Sequence, residues 1–197
     1  MSSTSEPPTS PEFESALASI RSARTRPDVT VHEIDPPAGL APYAIALAAD
    51  VTPTAHEADS VLGIGRFVLL HDPQGSPEWS GSFRAICFAQ APMEAEIGED
   101  PFLADVIWSW LVDALAGLGA RYHSEAGTAT KTISTGYGEL AGEPVSVQVE
   151  LRASWTPDES AIAAHVEGWI DLVAMLAGMP PRHDAPPSVD ARRRSRG

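Results

Sequence analysis

The stretch VSVQVELRASW at residues 145–155 alternates without a break. Val145, Val147, Val149, Leu151, Ala153 and Trp155 fall on one side of a period-two pattern; Ser146, Gln148, Glu150, Arg152 and Ser154 fall on the other. Successive side chains of a strand point to opposite faces, so this segment reads as a strand with one dry face and one wet face. A half-wet strand belongs to an antiparallel sheet covered on one side, because strands of a parallel sheet are apolar on both.

Working outward, the Thr-rich residues 121–135 read as its hairpin partner, with a turn near Gly138 to Pro144. Residues 63–71 (GIGRFVLLH) and 81–91 (GSFRAICFAQA) read as two further strands joined by the Pro/Gly-rich loop Asp72 to Ser80. Residues 43–51 (YAIALAADV) read as another strand, their alanines leaving a short helix open, and residues 28–34 as an edge strand. Apolar residues recur at helical spacing in three segments. Phe13, Leu17 and Ile20 define a helix over 11–24. Leu103, Val106, Ile107, Trp110, Leu111, Ala114 and Leu118 define one over 101–118. Ile162, Val166, Trp169, Ile170, Val173 and Ala177 define one over 157–177. Ser10-Pro11, Asp100-Pro101 and Thr156-Pro157 each place a capping oxygen before a proline, and Thr156 with Glu159 spells a capping box.

The expected fold is one α+β domain over residues 10–181, an antiparallel sheet of five to six strands covered by three helices in the order α-β-β-β-α-β-β-α. Residues 1–9 read as a disordered lead-in and 182–197 as a disordered basic tail. This order is similar to the layout of type III secretion chaperones, small acidic proteins that bind other chains. The likeness is one of topology and carries no function by itself.

Charge narrows the partners. Thirteen Lys and Arg face 27 Asp and Glu, for a net charge of −14. The tail 182–197 holds five arginines against two aspartates, so residues 1–181 carry −17. A body this acidic repels nucleic-acid phosphates and anionic lipid, which leaves weak nucleic-acid contact to the Arg-rich tail alone. It is compatible with a basic polypeptide partner, and equally with charge that serves only solubility. The single cysteine, Cys87, excludes an internal disulfide and a Cys-rich zinc site. The N-terminus lacks the pattern of a signal peptide, and the longest apolar run, Leu40 to Ala49, is too short to span a bilayer. The expectation is a soluble, cytoplasmic protein.

Catalytic signatures are sparse. Gly63-Ile64-Gly65 lacks the third glycine of a dinucleotide fingerprint and opens a strand. There is no P-loop and no nucleophile elbow. The histidines show no metal-ligand spacing, and neither a metal nor a cofactor is implied. In His71-Asp72-Pro73, His71 is a candidate base with Asp72 to orient it. The preferred reading is that Asp72-Pro73 starts a turn and His71 ends a strand. Arg84 and Arg152, on a common sheet face, are candidates to hold a carboxylate or phosphate, against ordinary salt bridging such as Arg152 to Glu150. Cys87 reads as an inert core residue. The acidic run Glu94 to Asp100 reads as a solvated loop feeding a helix N-terminus. Among five tryptophans, Trp110, Trp155 and Trp169 read as core. Trp108 falls off the centre of its helix stripe beside Val112, and Trp79 stands in a Pro/Gly loop. Trp108, Val112 and Trp79 are therefore candidate partner-binding residues, the alternative being that another element covers Trp108.

Four segments together are distinctive: LLHDPQGSPEWSGSFRAI (69–86), DPFLADVIWSWLVDAL (100–115), VELRASWTP (149–157) and HVEGWIDLVAMLAGMPP (165–181). With them, and with SARTRP at 22–27, the chain resembles the family called domain of unknown function 3000 over roughly residues 11–181. The resemblance implies an intracellular actinobacterial protein and no assigned activity.

The functional expectation is a non-enzymatic domain that binds another polypeptide, chaperone- or adaptor-like, with Trp108 as anchor. The alternative is an enzyme or small-ligand binder whose site on the sheet face uses His71, Asp72, Arg84 and Arg152. A homodimer through strand edges or Trp108 is a further expectation.

Overall fold

The computed structural model describes residues 10–52 and 62–182. The predicted lead-in 1–9 and all of the predicted tail beyond Arg182 lie outside them. Six strands, β1 (Val29–Ile34), β2 (Tyr43–Val51), β3 (Gly63–Ser76), β4 (Gly81–Met93), β5 (Tyr122–Ser134) and β6 (Ser146–Pro157), form one sheet in the order β1-β2-β3-β4-β6-β5. Every neighbouring pair is antiparallel. The helices are α1 (Pro11–Arg21), a single turn α2 (Ala95–Gly98), α3 (Leu103–Gly117) and α4 (Ala163–Leu176). The result is an α+β fold with an antiparallel sheet, as the alternation in β6 indicates. Residues 43–51 are a strand, and 28–34 supply the edge strand. The acidic run is not all loop, since it includes the turn α2.

All four helices lie on one face. There the row Leu47, Phe67, Cys87, Ala153 runs across β2, β3, β4 and β6, and each member is buried. Phe13 of α1 stacks on His71, and Trp108 of α3 lies over Gly127. Trp169 of α4 is fully buried, and its indole N–H donates to Phe88 O at 3.2 Å. The glycines of Gly63-Ile64-Gly65 are a packing device. A Cβ at Gly65 would stand 2.5 Å from Val173 Cγ2 and 3.0 Å from the Trp169 indole, so only glycine lets α4 approach this closely.

The proline-flanked caps work differently from the sequence expectation. Thr156 and Pro157 close β6, and α4 starts at Ala163, so no capping box forms. Thr156 is buried and gives its hydroxyl proton to Trp79 O at 2.6 Å. An orphan donor in the first turn of α4, the Ala163 N–H, is satisfied by Ser19 Oγ of α1 at 2.9 Å. Asp100 accepts the Phe102 N–H at 2.8 Å just ahead of α3, and Ser10 directs its hydroxyl to His71 instead of capping α1.

Candidate functional site

The four residues proposed as a ligand site are not brought together. His71 is fully buried on the helix-covered face, against Phe13, Tyr43 and Phe83. Its Nδ1 lies 3.1 Å from Ser82 O and its Nε2 2.9 Å from Ser10 Oγ. A carbonyl only accepts, so Nδ1 carries the proton and Nε2 accepts from Ser10. Burial lowers the His71 pKa against the weaker upward pull of Ser82 O and the nearby acids. The ring ties the start of α1 to the sheet. Asp72 accepts the Gln74 N–H at 3.0 Å, but it starts no turn: β3 runs on past His71 to Ser76 with a register shift against β4 between those two residues, and the turn comes after it at 77–80. Arg84 and Arg152 stand on the opposite face. Of the partner-binding candidates, Trp108 packs on the sheet. The half-buried Trp108 ring occupies the space above Gly127, where a Cβ would meet its Cζ3 at 2.5 Å, so the element covering Trp108 is β5. Val112 is half-buried on α3. Half-buried Trp79 sits in the β3–β4 turn, its N–H on Ser76 O.

The helix-free face shows the more informative arrangement. Its central row is Ala46, Val68, Ile86, Ser154, and the next is Ala48, Arg66, Phe88, Arg152. Phe88 is flanked in register by two arginines, and the Arg152 guanidinium lies 5.4 Å from its ring centroid. Arg84 donates to Ser154 Oγ at 2.7 Å, Ser124 O at 2.9 Å and Thr156 Oγ1 at 3.1 Å. Burial lowers the pKa of its guanidinium. Arg84 is thus fixed beside Ser154, the neighbour of Arg152 on this face, as the common-face reading of the two arginines requires. Three of the nine cations among the described residues, Arg66, Arg84 and Arg152, share the face. Arg152 pairs with Glu150. Neither Arg66 nor Arg84 makes an ion pair among the described residues.

A charge network missed at the sequence level ties both ends of the domain to α4. Glu167 and Asp171, both buried, lie one turn apart on α4. Glu167 accepts from the Arg24 backbone N–H at 2.9 Å and pairs with Arg24 and Arg182. Asp171 pairs with Arg26 and Arg182, and Arg26 also clamps Asp28. Burial pushes the Glu167 carboxyl up, but Arg24 and Arg182 outweigh it and hold the pKa below its ordinary value. The Arg26 hydrogen bonds do the same for Asp28. Arg182, assigned to the tail from sequence, is therefore part of the fold. The available signal was a pair of acids four residues apart on an otherwise apolar helix, which needs cations, and SARTRP supplies two. Beside this network a cavity of about 660 Å³ opens between α3 and α4, walled by Trp110, Ala114, Met175, Met179 and Pro181, with Asp171 and Arg182 at its polar side.

Cys87 is buried and its thiol is pushed up to about 12, consistent with an inert core residue. Among the described residues no three His, Cys, Asp or Glu side chains stand together as metal ligands, and no helix is long and apolar enough to cross a membrane.

The family model described as Protein of unknown function (DUF3000) matches residues 9–185. No curated protein and no solved structure matches the chain. Because that match takes in the whole described fold, from Ser10 to Arg182, the chain belongs to the DUF3000 family.

Proposed function

We propose that the protein is a non-enzymatic polypeptide-binding domain, chaperone- or adaptor-like, and that its contact surface is the helix-free sheet face rather than Trp108. One observation carries this reading: an apolar centre (Val68, Ile86, Phe88) ringed by Arg66, Arg84 and Arg152, two of them without a carboxylate partner among the described residues, in a chain of net charge −14. Such a surface favours a segment that alternates apolar and acidic residues, the reverse of the basic partner that net charge alone implies. The acidic remainder of the chain would repel the same segment elsewhere and so fix where it binds.

Fluorescence anisotropy with two synthetic peptides tests this, one alternating Leu with Glu and one alternating Leu with Lys. The expected result is binding of the acidic peptide only, weakened about tenfold or more by Arg66→Glu combined with Arg152→Glu. Equal binding of both peptides, or an unchanged affinity in the double variant, would overturn it. A second reading, small-ligand binding, moves from the sheet face to the α3–α4 cavity, whose size and apolar walls suit a small molecule. A mass carried through native mass spectrometry by the purified protein and lost in Met175→Trp would favour that reading.

A further inference from the structure

Among the described residues the sheet has two unpaired edges, and they differ. β1 is six residues long, stands between Pro27 and Pro36-Pro37, and presents His32 and Glu33. Short length, flanking prolines and charge are the usual protections of an edge. β5 is 13 residues long and has no proline, and all of its residues but Tyr122 and Ala129 are exposed. Among the described residues, four of the nine exposed large apolar ones, Ile133, Tyr137, Leu140 and Val145, lie on β5 or on the connection that follows it. Over the strand, α3 sets Trp108 against Gly127.

The charges of β5 say what fits it. The strand carries one acid, Glu125, and one base, Lys131, six residues apart about Thr128. An antiparallel pair of two β5 strands centred on Thr128 places Glu125 of each copy opposite Lys131 of the other. Gly127 then faces Ala129, Ala126 faces Thr130, and Thr128 faces itself. Shifting the centre by one residue either way removes both charge pairs. The bulge between His123 and Ala126, where Ser124 takes φ 54°, takes in Glu125 at the end of this pairing and leaves 126–130 regular.

We propose that β5 pairs with β5 of a second copy about a two-fold axis at Thr128, giving a continuous twelve-stranded sheet. A two-fold perpendicular to the sheet keeps both helix layers on one side and sets the two Trp108 rings along the new seam. The open faces then join into one surface across the dimer. The inference does not depend on the peptide-binding reading, because no arginine of the open face takes part.

Charge reversal tests it on the full chain. Light scattering across a concentration series is expected to show a dimer, and Glu125→Lys or Lys131→Glu alone to weaken it about tenfold or more, since each replaces two attractions by two repulsions. The double variant Glu125→Lys/Lys131→Glu should restore dimerisation. An equimolar mixture of the two single variants should give heterodimers by native mass spectrometry, because each supplies the charge that the other lacks. The axis is read separately by Thr128→Cys, which should form an intermolecular disulfide under mild oxidation; Cys87 is buried and does not compete. A wild-type chain that stays monomeric at high concentration would overturn the proposal, as would a dimer indifferent to the charge swaps.

Discussion

On the helix-covered face, Leu47, Phe67, Cys87 and Ala153 stand side by side across four strands; one residue along the same strands, on the other face, stand Ala48, Arg66, Phe88 and Arg152. The backbone is common to both rows. What differs is the medium each row meets. The first is pressed against α4 and admits polar groups only when fully partnered, as with the Trp169 N–H on Phe88 O. In the second, Ala48 is buried and Phe88 half-buried, but Arg66 and Arg152 meet water, so the row can hold exposed arginines on either side of an apolar ring. Stability is concentrated on one face, and the freedom to bind on the other.

The largest effect is expected where the covered face is tightest. Trp169 is fully buried, packs against Gly65 and Phe67 and bonds Phe88 O. Trp169→Ala should cost about 3–5 kcal/mol in urea unfolding, the range for truncating a buried aromatic side chain. A loss below about 1 kcal/mol would mean that the α4 contact is not the core of the fold.

A smaller effect sharpens the comparison through pH. His165 of α4 is buried and its Nδ1 accepts the Trp155 indole N–H at 3.0 Å. Burial lowers its pKa to about 4, against a weak upward pull from Asp158. The unfolded chain, with an ordinary histidine pKa near 6.5, therefore binds the proton more readily than the folded one. Stability from this residue is complete above about pH 6.5 and falls as pH drops towards 4, by about 3 kcal/mol in all. The buried His71 shifts the same way and adds to the slope. Glu167 and Asp28 are held below their ordinary values, so their stability is lost as pH falls through the ordinary carboxylate range and below, which meets this window only at its acid end. Unfolding titrations from pH 7 to 4 should show the decline, and His165→Gln should flatten it. An unchanged slope in that variant would place the proton elsewhere.

Sequence legibility follows the same division. β6 could be read residue by residue because one face is dry and the other wet. β3 and β4, central in the sheet, carry apolar residues on both faces, so they were legible as strands but not as two different surfaces. The helices were found by their stripes; α1 starts at Pro11 as expected, whereas α4 starts at Ala163, six residues after the expected start at 157. A Ser, Thr or Asp before a proline caps a helix only if no tertiary partner claims its oxygen. His71 claims Ser10, and Trp79 O claims Thr156. Trp108 stood off its helix stripe because its partner is β5, which no pattern within the helix reports. The charge network joins Arg24 and Arg26 to Glu167 and Asp171, more than 140 positions away, a contact that charge spacing on one helix hints at and only the fold completes.

The smallest effect on stability is expected on the open face, and there smallness is the informative result. Arg66 is exposed, makes no ion pair among the described residues, and stands in register with Phe88. Arg66→Glu should change unfolding free energy by no more than about 0.5 kcal/mol, as for surface substitutions that break no contact. The same change reverses a charge at the edge of the apolar centre, so binding of an acidic-apolar peptide should fall while the melting temperature holds. If stability and binding fall together, Arg66 is part of the fold's own support and the contrast between the faces breaks down. If binding alone falls, the two faces are separable by a single side chain, as they must be if the sheet carries its partner on the side its helices leave open.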